Sequence, residues 1–180
     1  MKKIVLTGFG SFGDNTVNPA ESIVRALEKE EGITVFVLPV VYDRCAKVIG
    51  DTDGEIYLHL GLASSRERIT VERYAYNEKN AKAADNDGIL FSGEKIVEGG
   101  ENILTTPFDT ERIVRALEGE EIESAVSTDP GRYVCNNIYY HSLTKGRKAL
   151  FVHLPPLEKL SCDEGVRAVR IIIGEIRSQA

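Results

Sequence analysis

Short apolar segments of strand length alternate along the chain with amphipathic segments of helix length, and this alternation limits the possible folds. The apolar segments at 33–42, 55–63 and 148–156 are rich in Val, Ile, Leu and aromatic residues. A helical pattern follows Asn18, which suits an N-cap because proline comes next, and another follows Ser161. Such alternation is typical of a parallel sheet covered by helices on both faces. The sequence therefore predicts an α/β fold, a three-layer α/β/α sandwich with a mainly parallel mixed sheet.

The remaining elements follow from the same periodicities. Strands are predicted at 2–7, 68–77 and 122–128, and helices at 19–32, at 109–119 and from Ser161 onwards. The stretch 78–107 is polar and rich in glycine, so we expect an excursion that contains a hairpin. No repeat or linker is visible, and 180 residues can bury one core. We therefore expect a single domain over residues 1–180.

Composition excludes several classes of protein. A formal net charge of -6 argues against a nucleic-acid partner, which requires a basic face. No apolar run approaches the ~20 residues that span a bilayer, and the apolar stretch after Lys3 is too short for a signal peptide. We therefore expect a cytoplasmic protein. The three cysteines are too far apart in the sequence for a disulfide framework or a zinc site.

In a sheet of this kind the functional site lies beyond the carboxyl ends of the strands. This rule selects four segments, namely "GFGSFG", "GLASSR", "STDPGRYVCN" and "HLPP". The first contains the spacing G-x-G-x-x-G at Gly8, Gly10 and Gly13, which suggests a dinucleotide site. In that motif the helix opens within the glycines, whereas here the helix signals at Asn18 and Pro19 come several residues later. We therefore disfavour a nucleotide site.

Two phenylalanines remain in this glycine-rich loop, Phe9 and Phe12. They either anchor the loop in the core or form an apolar wall for a small planar ligand. The sequence pattern does not decide between these two roles.

Cys135 lies where a loop is expected to turn into a helix, and it is either a small packing residue or a nucleophile. A nucleophilic thiol requires a nearby base. His141 is six residues further along, on another side of the predicted helix, and His59 lies inside an apolar strand, where a core role is expected. His153 is the polar residue that closes "ALFVHLPP", at the carboxyl end of its strand. It is therefore the best candidate for the base.

The base in turn requires a group that orients it. Glu72 interrupts the uncharged run in "ITVE" near the end of its strand, although an ion pair with a neighbouring arginine would also explain it. Asp129 is the competing acid, but it precedes Pro130 and suits a cap or turn.

These residues belong to a longer set of motifs through which the sequence resembles the pyroglutamyl peptidase I family of cysteine peptidases. The motifs cover nearly the whole chain, and they are "VLTGFGSFGDNTVNPAES", "HLGLASSR", "ITVERYAYN", "ADNDG", the cysteine segment from Ser127 to Tyr140, and "FVHLP". The resemblance implies a catalytic triad formed by Glu72, Cys135 and His153. It also implies hydrolysis of the amide bond that follows an N-terminal pyroglutamyl (5-oxoproline) residue, without a metal or an organic cofactor.

The same resemblance assigns substrate-binding positions. Phe9 and Phe12 match the aromatic residues that enclose the pyrrolidone ring, and Asn18 matches a residue near that pocket. Lys82 aligns with a position that is usually arginine, and lysine lacks the two-pronged donor geometry of arginine. Pro130 is a further departure, so an inactive or altered homologue that binds oxoprolyl ends stays open, as does a redox-sensing thiol protein. The expected partners are peptides with N-terminal pyroglutamate, and the family resemblance suggests a homotetramer.

Overall fold

The structure is a computed structural model, and it describes residues 2–12, 18–50 and 52–180. Within these ranges the strands are β1 (Ile4–Phe9), β2 (Ile33–Leu38), β3 (Ile56–Leu62), β4 (Ile69–Glu72), β5 (Tyr74–Tyr76), β6 (Lys79–Asn80), β7 (Ser92–Glu94), β8 (Ile103–Thr105), β9 (Ser124–Ser127) and β10 (Ala149–Leu154). The helices of the same ranges are α1 (Pro19–Ala26), α2 (Tyr42–Ile49), α3 (Thr110–Gly119), α4 (Val134–Thr144) and α5 (Cys162–Gln179).

A six-stranded sheet in the order β2-β1-β3-β10-β4-β9 forms the centre of the molecule. Its neighbouring strands are parallel except for β10 and β4, which are antiparallel. One buried cluster joins this sheet to α1, α3 and α5, and a second joins it to α2 and α4. The predicted three-layer sandwich with a mainly parallel mixed sheet is thus confirmed. A single domain over residues 1–180 stays a prediction.

Local sequence signals place the helices that flank the sheet. Asn18 is the N-cap of α1, and its side-chain oxygen accepts a hydrogen bond from the Ala20 N–H at 3.0 Å. Ser161 and Glu164 form the predicted capping box at the start of α5. Because α1 begins at Pro19, Gly8 and Gly10 lie outside the helix, whereas the dinucleotide motif requires a helix that opens within its glycines. Gly13, the third glycine of that motif, lies outside the described residues.

Three segments differ from the sequence prediction. The helix predicted over 19–32 ends at Ala26, because Leu27 closes it and turns follow. The strand predicted over 68–77 is divided at Arg73, where the chain leaves the central sheet. The Arg73 N–H donates to the Ser127 carbonyl at 2.8 Å, and its carbonyl accepts from the Thr106 N–H at 3.0 Å. The third difference concerns the strand predicted over 33–42: β2 ends at Leu38, and Tyr42 is the first residue of helix α2, which the sequence prediction missed.

The excursion between β5 and α3 forms small sheets of its own. β5 pairs with β8, and β6 pairs with β7 in the antiparallel manner expected of the predicted hairpin. None of the helices within the described residues is both long enough and apolar enough to cross a membrane.

Candidate active site

A buried carboxylate and a buried imidazole meet inside the sheet. Glu72 is the last residue of β4, and His153 is one residue from the end of β10, where its register partner is Thr70. Nδ1 of His153 lies 2.8 Å from Oε1 of Glu72, and the two side chains are 5% and 0% exposed. Since a carboxylate accepts hydrogen bonds, Nδ1 carries the hydrogen, and Nε2 is left as the basic nitrogen.

Burial acts on both members of this pair. Burial raises the pKa of the Glu72 carboxyl. This effect is outweighed by the hydrogen bond and charge of His153, by the Ser127 hydroxyl and by the charge of Arg66, so the pKa lies below its usual value. Burial lowers the pKa of His153, and the hydrogen bond to Glu72 opposes this only in part. An ionised carboxylate therefore orients a neutral imidazole, which is the state that a general base requires.

The thiol of Cys135 lies next to this pair. Cys135 is the second residue of α4, and its sulfur would be only 2.8 Å from a Cβ placed on Gly61. Gly61 is the register partner of His153 in the parallel ladder between β3 and β10. Neighbouring strands are ~4.8 Å apart, so the sulfur is packed beside the backbone position that carries the imidazole. The structure thus brings together the three residues of the predicted triad.

Opposing influences act on the Cys135 thiol. Burial raises its pKa, the charges of Cys45 and Glu72 raise it further, and the charge of Arg66 lowers it; the net shift is upward. The first turn of α4 favours the thiolate, since no side chain caps its N–H groups. With the pKa of His153 lowered as well, the neutral forms of both groups prevail.

Cys135 also forms part of the wall of a small cavity of about 90 Å³. The residues that line it come from four segments of the chain, and they are Phe9, Phe12, Asn18, Val40, Leu62, Ser64, Tyr133, Val134 and Cys135. None of these described lining residues carries a formal charge at neutral pH. The cavity therefore suits a small, neutral and largely apolar group.

Aromatic side chains give the cavity its flat walls. Phe9 is 2% exposed and belongs to the core cluster that contains Cys135, so it anchors its loop and lines the cavity as well. Phe12 is half-buried and packs against Tyr133, with ring centroids 5.3 Å apart. Sequence reasoning missed Tyr133, although it lies within the cysteine motif two residues before Cys135.

Asn18 lines the cavity, yet its polar atoms are used within the protein. Its amide nitrogen donates to the Gly10 carbonyl at 3.0 Å, and its oxygen caps α1 through the Ala20 N–H. The geometry therefore favours an indirect role, in which Asn18 fixes the loop that carries Phe12.

Lys82 is exposed and does not line this cavity. The segment that contains it nevertheless reaches the cavity walls a few residues later. The Tyr133 hydroxyl donates to the Ala84 carbonyl at 2.9 Å, and the Asn86 side chain donates to the Ser11 carbonyl at 3.2 Å. The buried carboxylate of Asp85 accepts from the Tyr42 N–H at 3.1 Å. The "ADNDG" motif thus holds the walls in place, and a direct role for Lys82 stays a prediction.

The competing candidates lie elsewhere. His59 is fully buried, with Nδ1 2.8 Å from the Thr7 hydroxyl and Nε2 2.9 Å from the Ser142 hydroxyl, which confirms its core role. Asp129 accepts hydrogen bonds from Gly131 and Arg132 and acts as a turn residue. His141 lines a larger cavity of about 540 Å³ between α2 and α4, to which neither Cys135 nor His153 contributes.

Comparison with known proteins places this geometry in a family. The family model described as "Pyroglutamyl peptidase" matches residues 2–172. A pyrrolidone-carboxylate peptidase of Oceanobacillus iheyensis is 34% identical and the alignment covers 97% of this chain and 98% of that protein. Pyroglutamyl-peptidase 1 of the mouse is 32% identical, with coverage of 97% and 90%.

Solved structures give the same result. The crystal structure of pyrrolidone carboxyl peptidase from Fervidobacterium islandicum superimposes with a TM-score of 0.93 and 32% identity over 99% of both chains. The corresponding peptidase from Thermus thermophilus superimposes with a TM-score of 0.90 and 28% identity over 96% of this chain and 99% of that one. Sequence and fold therefore agree over nearly the whole length, and this chain belongs to the pyroglutamyl peptidase family.

Proposed function

We propose that this protein is a cysteine peptidase that hydrolyses the amide bond after an N-terminal pyroglutamyl residue, with Cys135, His153 and Glu72 as its catalytic residues. The observation that carries the proposal is the position of Cys135 between the Glu72–His153 pair and the small uncharged cavity. Membership of the family and the fold agree with it.

The cavity explains how such a substrate could be selected. A pyroglutamyl end is a neutral five-membered lactam, whereas an ordinary peptide N-terminus carries an ammonium group. Among the described lining residues no carboxylate is present to pair with an ammonium group, so burying one there would be costly. The lactam ring can instead lie against Phe9 and Phe12, with backbone groups of the loops available to its amide.

The reaction begins with proton transfer from the Cys135 thiol to Nε2 of His153. The sulfur attacks the carbonyl carbon that joins the pyroglutamyl group to the next residue, and the carbonyl oxygen gains a negative charge. Amide groups in the uncapped first turn of α4 are the best placed donors for this oxygen. The C–N bond then breaks as the His153 imidazolium gives its proton to the leaving amine.

A thioester between Cys135 and the pyroglutamyl group results. His153 next removes a proton from water, the hydroxide attacks the thioester carbonyl, and the C–S bond breaks as the sulfur regains a proton. Free pyroglutamate and the resting enzyme are the products. Throughout the cycle Glu72 holds the imidazole with Nδ1 protonated and stabilises its transient positive charge.

A parallel hydrolysis assay with oxoprolyl, prolyl and glutamyl amides tests this proposal. We expect turnover of the oxoprolyl amide, very little turnover of the other two, and near-complete loss of turnover in Cys135→Ser. Cys45→Ser and Cys162→Ser are matched controls and should retain activity. Cys45 is buried with its pKa raised to about 11, and Cys162 lies at the start of α5. Full activity in Cys135→Ser would contradict the mechanism.

Two alternatives have different outcomes in the same assay. An inactive homologue would bind an oxoprolyl amide without hydrolysing it, whereas a redox-sensing thiol protein would neither bind nor hydrolyse it. The pairing of His153 with Glu72 beside Cys135 favours the enzyme over the redox sensor, since a sensing thiol does not require an oriented base.

We also propose a cytoplasmic location and a homo-oligomer, a tetramer by family resemblance, with pyroglutamyl peptides as its partners. Light scattering coupled to size-exclusion chromatography would measure the oligomeric state directly. A monomer at assay concentration would show that the site is complete within one chain.

A further inference from the structure

Arg66 connects several segments that build the proposed site. It lies in the loop between β3 and β4, and its guanidinium donates to the hydroxyl of Thr70 and to Oε1 of Glu72. It also donates to the carbonyl of Asp129 at 2.9 Å, in the loop that leads to Cys135. One side chain therefore links the loop after β3, strand β4 and the cysteine loop.

The hydrogen bonds on Glu72 converge on a single oxygen. Oε1 accepts from Arg66, from Nδ1 of His153 and from the Thr70 hydroxyl at 3.4 Å, while Oε2 has no hydrogen-bond partner among the described residues. The carboxylate is fully buried, whereas the arginine side chain is 22% exposed. Arg66 is therefore the fixed positive charge next to a carboxylate that is otherwise paired with a neutral imidazole.

Such a carboxylate would be poorly held without the arginine. A buried charge is stable only when it is paired and hydrogen-bonded, and without Arg66 the remaining donors to Glu72 are neutral: His153 and the hydroxyls of Thr70 and Ser127. The planar fork of arginine can satisfy three acceptors at once with a defined geometry, which the ammonium group of lysine cannot reproduce. The position and the orientation of Glu72 thus depend on Arg66.

We propose that Arg66 is a positioning residue of the active site: it holds the Glu72 carboxylate against His153 and fixes the cysteine loop relative to that pair. This inference rests on the proposed function, because it gives Glu72 and His153 their proposed roles. Arg66 acts through Glu72 and the cysteine loop, and it does not line the substrate cavity.

The charged and titratable groups that face Glu72 determine how the pH dependence should change. They are Arg66 from the loop after β3, His153 from β10, and Cys135 and Tyr139 from α4, and the polar groups nearby are Thr70 and Ser127. The charge of Arg66 lowers the pKa of Glu72 and of His153. Its removal would raise both values, so the pair would stay protonated to higher pH. The acidic limb of kcat/KM should then move towards higher pH.

The test compares Arg66→Met and Arg66→Lys with the control variant Arg68→Met. Arg68 is an exposed arginine two residues away, and it has no ion pair among the described residues. Steady-state kinetics on an oxoprolyl amide would be measured across pH, together with the melting temperature. For Arg66→Met we expect kcat to fall roughly 10- to 100-fold, the effect seen when groups that orient metal-binding histidines are removed. KM should change little, and the acidic limb of kcat/KM should move towards higher pH. Arg66→Lys keeps the charge, so its acidic limb should stay near that of the wild type while kcat is reduced. Arg68→Met should match the wild type.

A double variant separates positioning from general stability. Arg66→Met should slow the Glu72→Gln variant much less than it slows the wild type, because the effect that acts through the carboxylate is already lost and only the bond to the Asp129 carbonyl remains. If Arg66→Met does not fold, the comparison of Arg66→Lys with the wild type decides the question. A wild-type kcat in Arg66→Lys, or a folded Arg66→Met with a wild-type kcat and pH profile, would overturn the proposal.

The rate of Cys135 alkylation by iodoacetamide across pH provides a readout that needs no turnover. If the wild-type protein failed to hydrolyse oxoprolyl amides, the proposed function would be wrong. The alkylation profile of Arg66→Met should still be displaced towards higher pH, because the charge of Arg66 lowers the pKa of Cys135. An unchanged alkylation profile would count against Arg66 whatever the outcome of the assay.

Discussion

Gly61 and Cys135 are in such close contact that the glycine defines the position of the sulfur. A Cβ at residue 61 would lie 2.8 Å from the Cys135 sulfur and 2.9 Å from the ring of Phe151. Gly61 is also the strand neighbour of His153. The absence of a side chain at this one position therefore allows the thiol to pack beside the strand that carries the base.

Gly61→Ala should impair the reaction more than it impairs folding. The added methyl must displace the sulfur or the Phe151 ring, and overpacking of this kind costs about 1–3 kcal/mol of stability. A displaced sulfur loses its alignment with His153, so we expect kcat/KM on an oxoprolyl amide to fall at least 10-fold.

Gly174→Ala is the matched control for this substitution. Gly174 lies in α5, and an added Cβ there meets no atom within 4 Å. Alanine should raise stability by about 0.5–1 kcal/mol and leave kcat/KM unchanged. Equal activity in Gly61→Ala and the wild type would show that the sulfur position is not critical.

His153→Ala and His141→Ala should differ sharply in activity. His153 pairs with Glu72 beside the thiol, whereas His141 lines a separate cavity. We expect kcat to fall roughly 10²–10⁴-fold for His153→Ala, the range for loss of a general acid–base group, and to change little for His141→Ala. Circular dichroism spectra of both variants would check that folding is retained. The reverse order of activities would mean that His153 is not the base.

Phe12→Ala should weaken substrate handling without destabilising the protein. Phe12 is half-buried and contacts the cavity and Tyr133, so its removal deprives a ligand of one flat wall. Loss of one large apolar contact is worth about 1–3 kcal/mol, or roughly a 10- to 100-fold fall in kcat/KM. The rate at which iodoacetamide labels Cys135 should change little.

Phe91→Ala is the control for this variant. Phe91 is also half-buried and packs against Tyr42, with ring centroids 4.8 Å apart, but it does not line the cavity. Its loss should affect the melting temperature more than kcat/KM. An unstable Phe12→Ala protein with normal kinetics would show that Phe12 has only a structural role.

The sequence reveals the layers of this fold better than it reveals the contacts within the site. Segments with strong periodicity and clear caps, such as those after Asn18 and Ser161, begin where predicted. Helix α2 was missed because it is short and its N-cap, Val41, makes no side-chain capping bond. Tyr133 and Arg66 were missed because their roles depend on contacts between segments far apart in the chain, which no local pattern encodes.

The buried histidine His59 should make the protein less stable as the pH falls. Its ring is fully buried between the hydroxyls of Thr7 and Ser142, and burial, with a smaller effect of Arg147, lowers its pKa to about 3. In the unfolded chain a histidine titrates near ~6.5. Between these two values the unfolded state binds the extra proton, so the free energy of unfolding falls as the pH decreases through this window and is fully retained above it.

The expected slope from this one residue is at most about 1.4 kcal/mol per pH unit. His141 and His153 also have lowered pKa values and act in the same direction, so His59 must be isolated by substitution. His59→Gln can keep hydrogen bonds to both hydroxyls without a titrating group. Urea unfolding of this variant between pH 5 and 7 should show a shallower slope than that of the wild type. Nuclear magnetic resonance provides a second measurement on the wild-type protein, in which the His59 ring signal should not titrate between pH 5 and 8. A His59 signal that titrates near pH 6.5 in the folded protein would show that the ring is not held neutral by its surroundings.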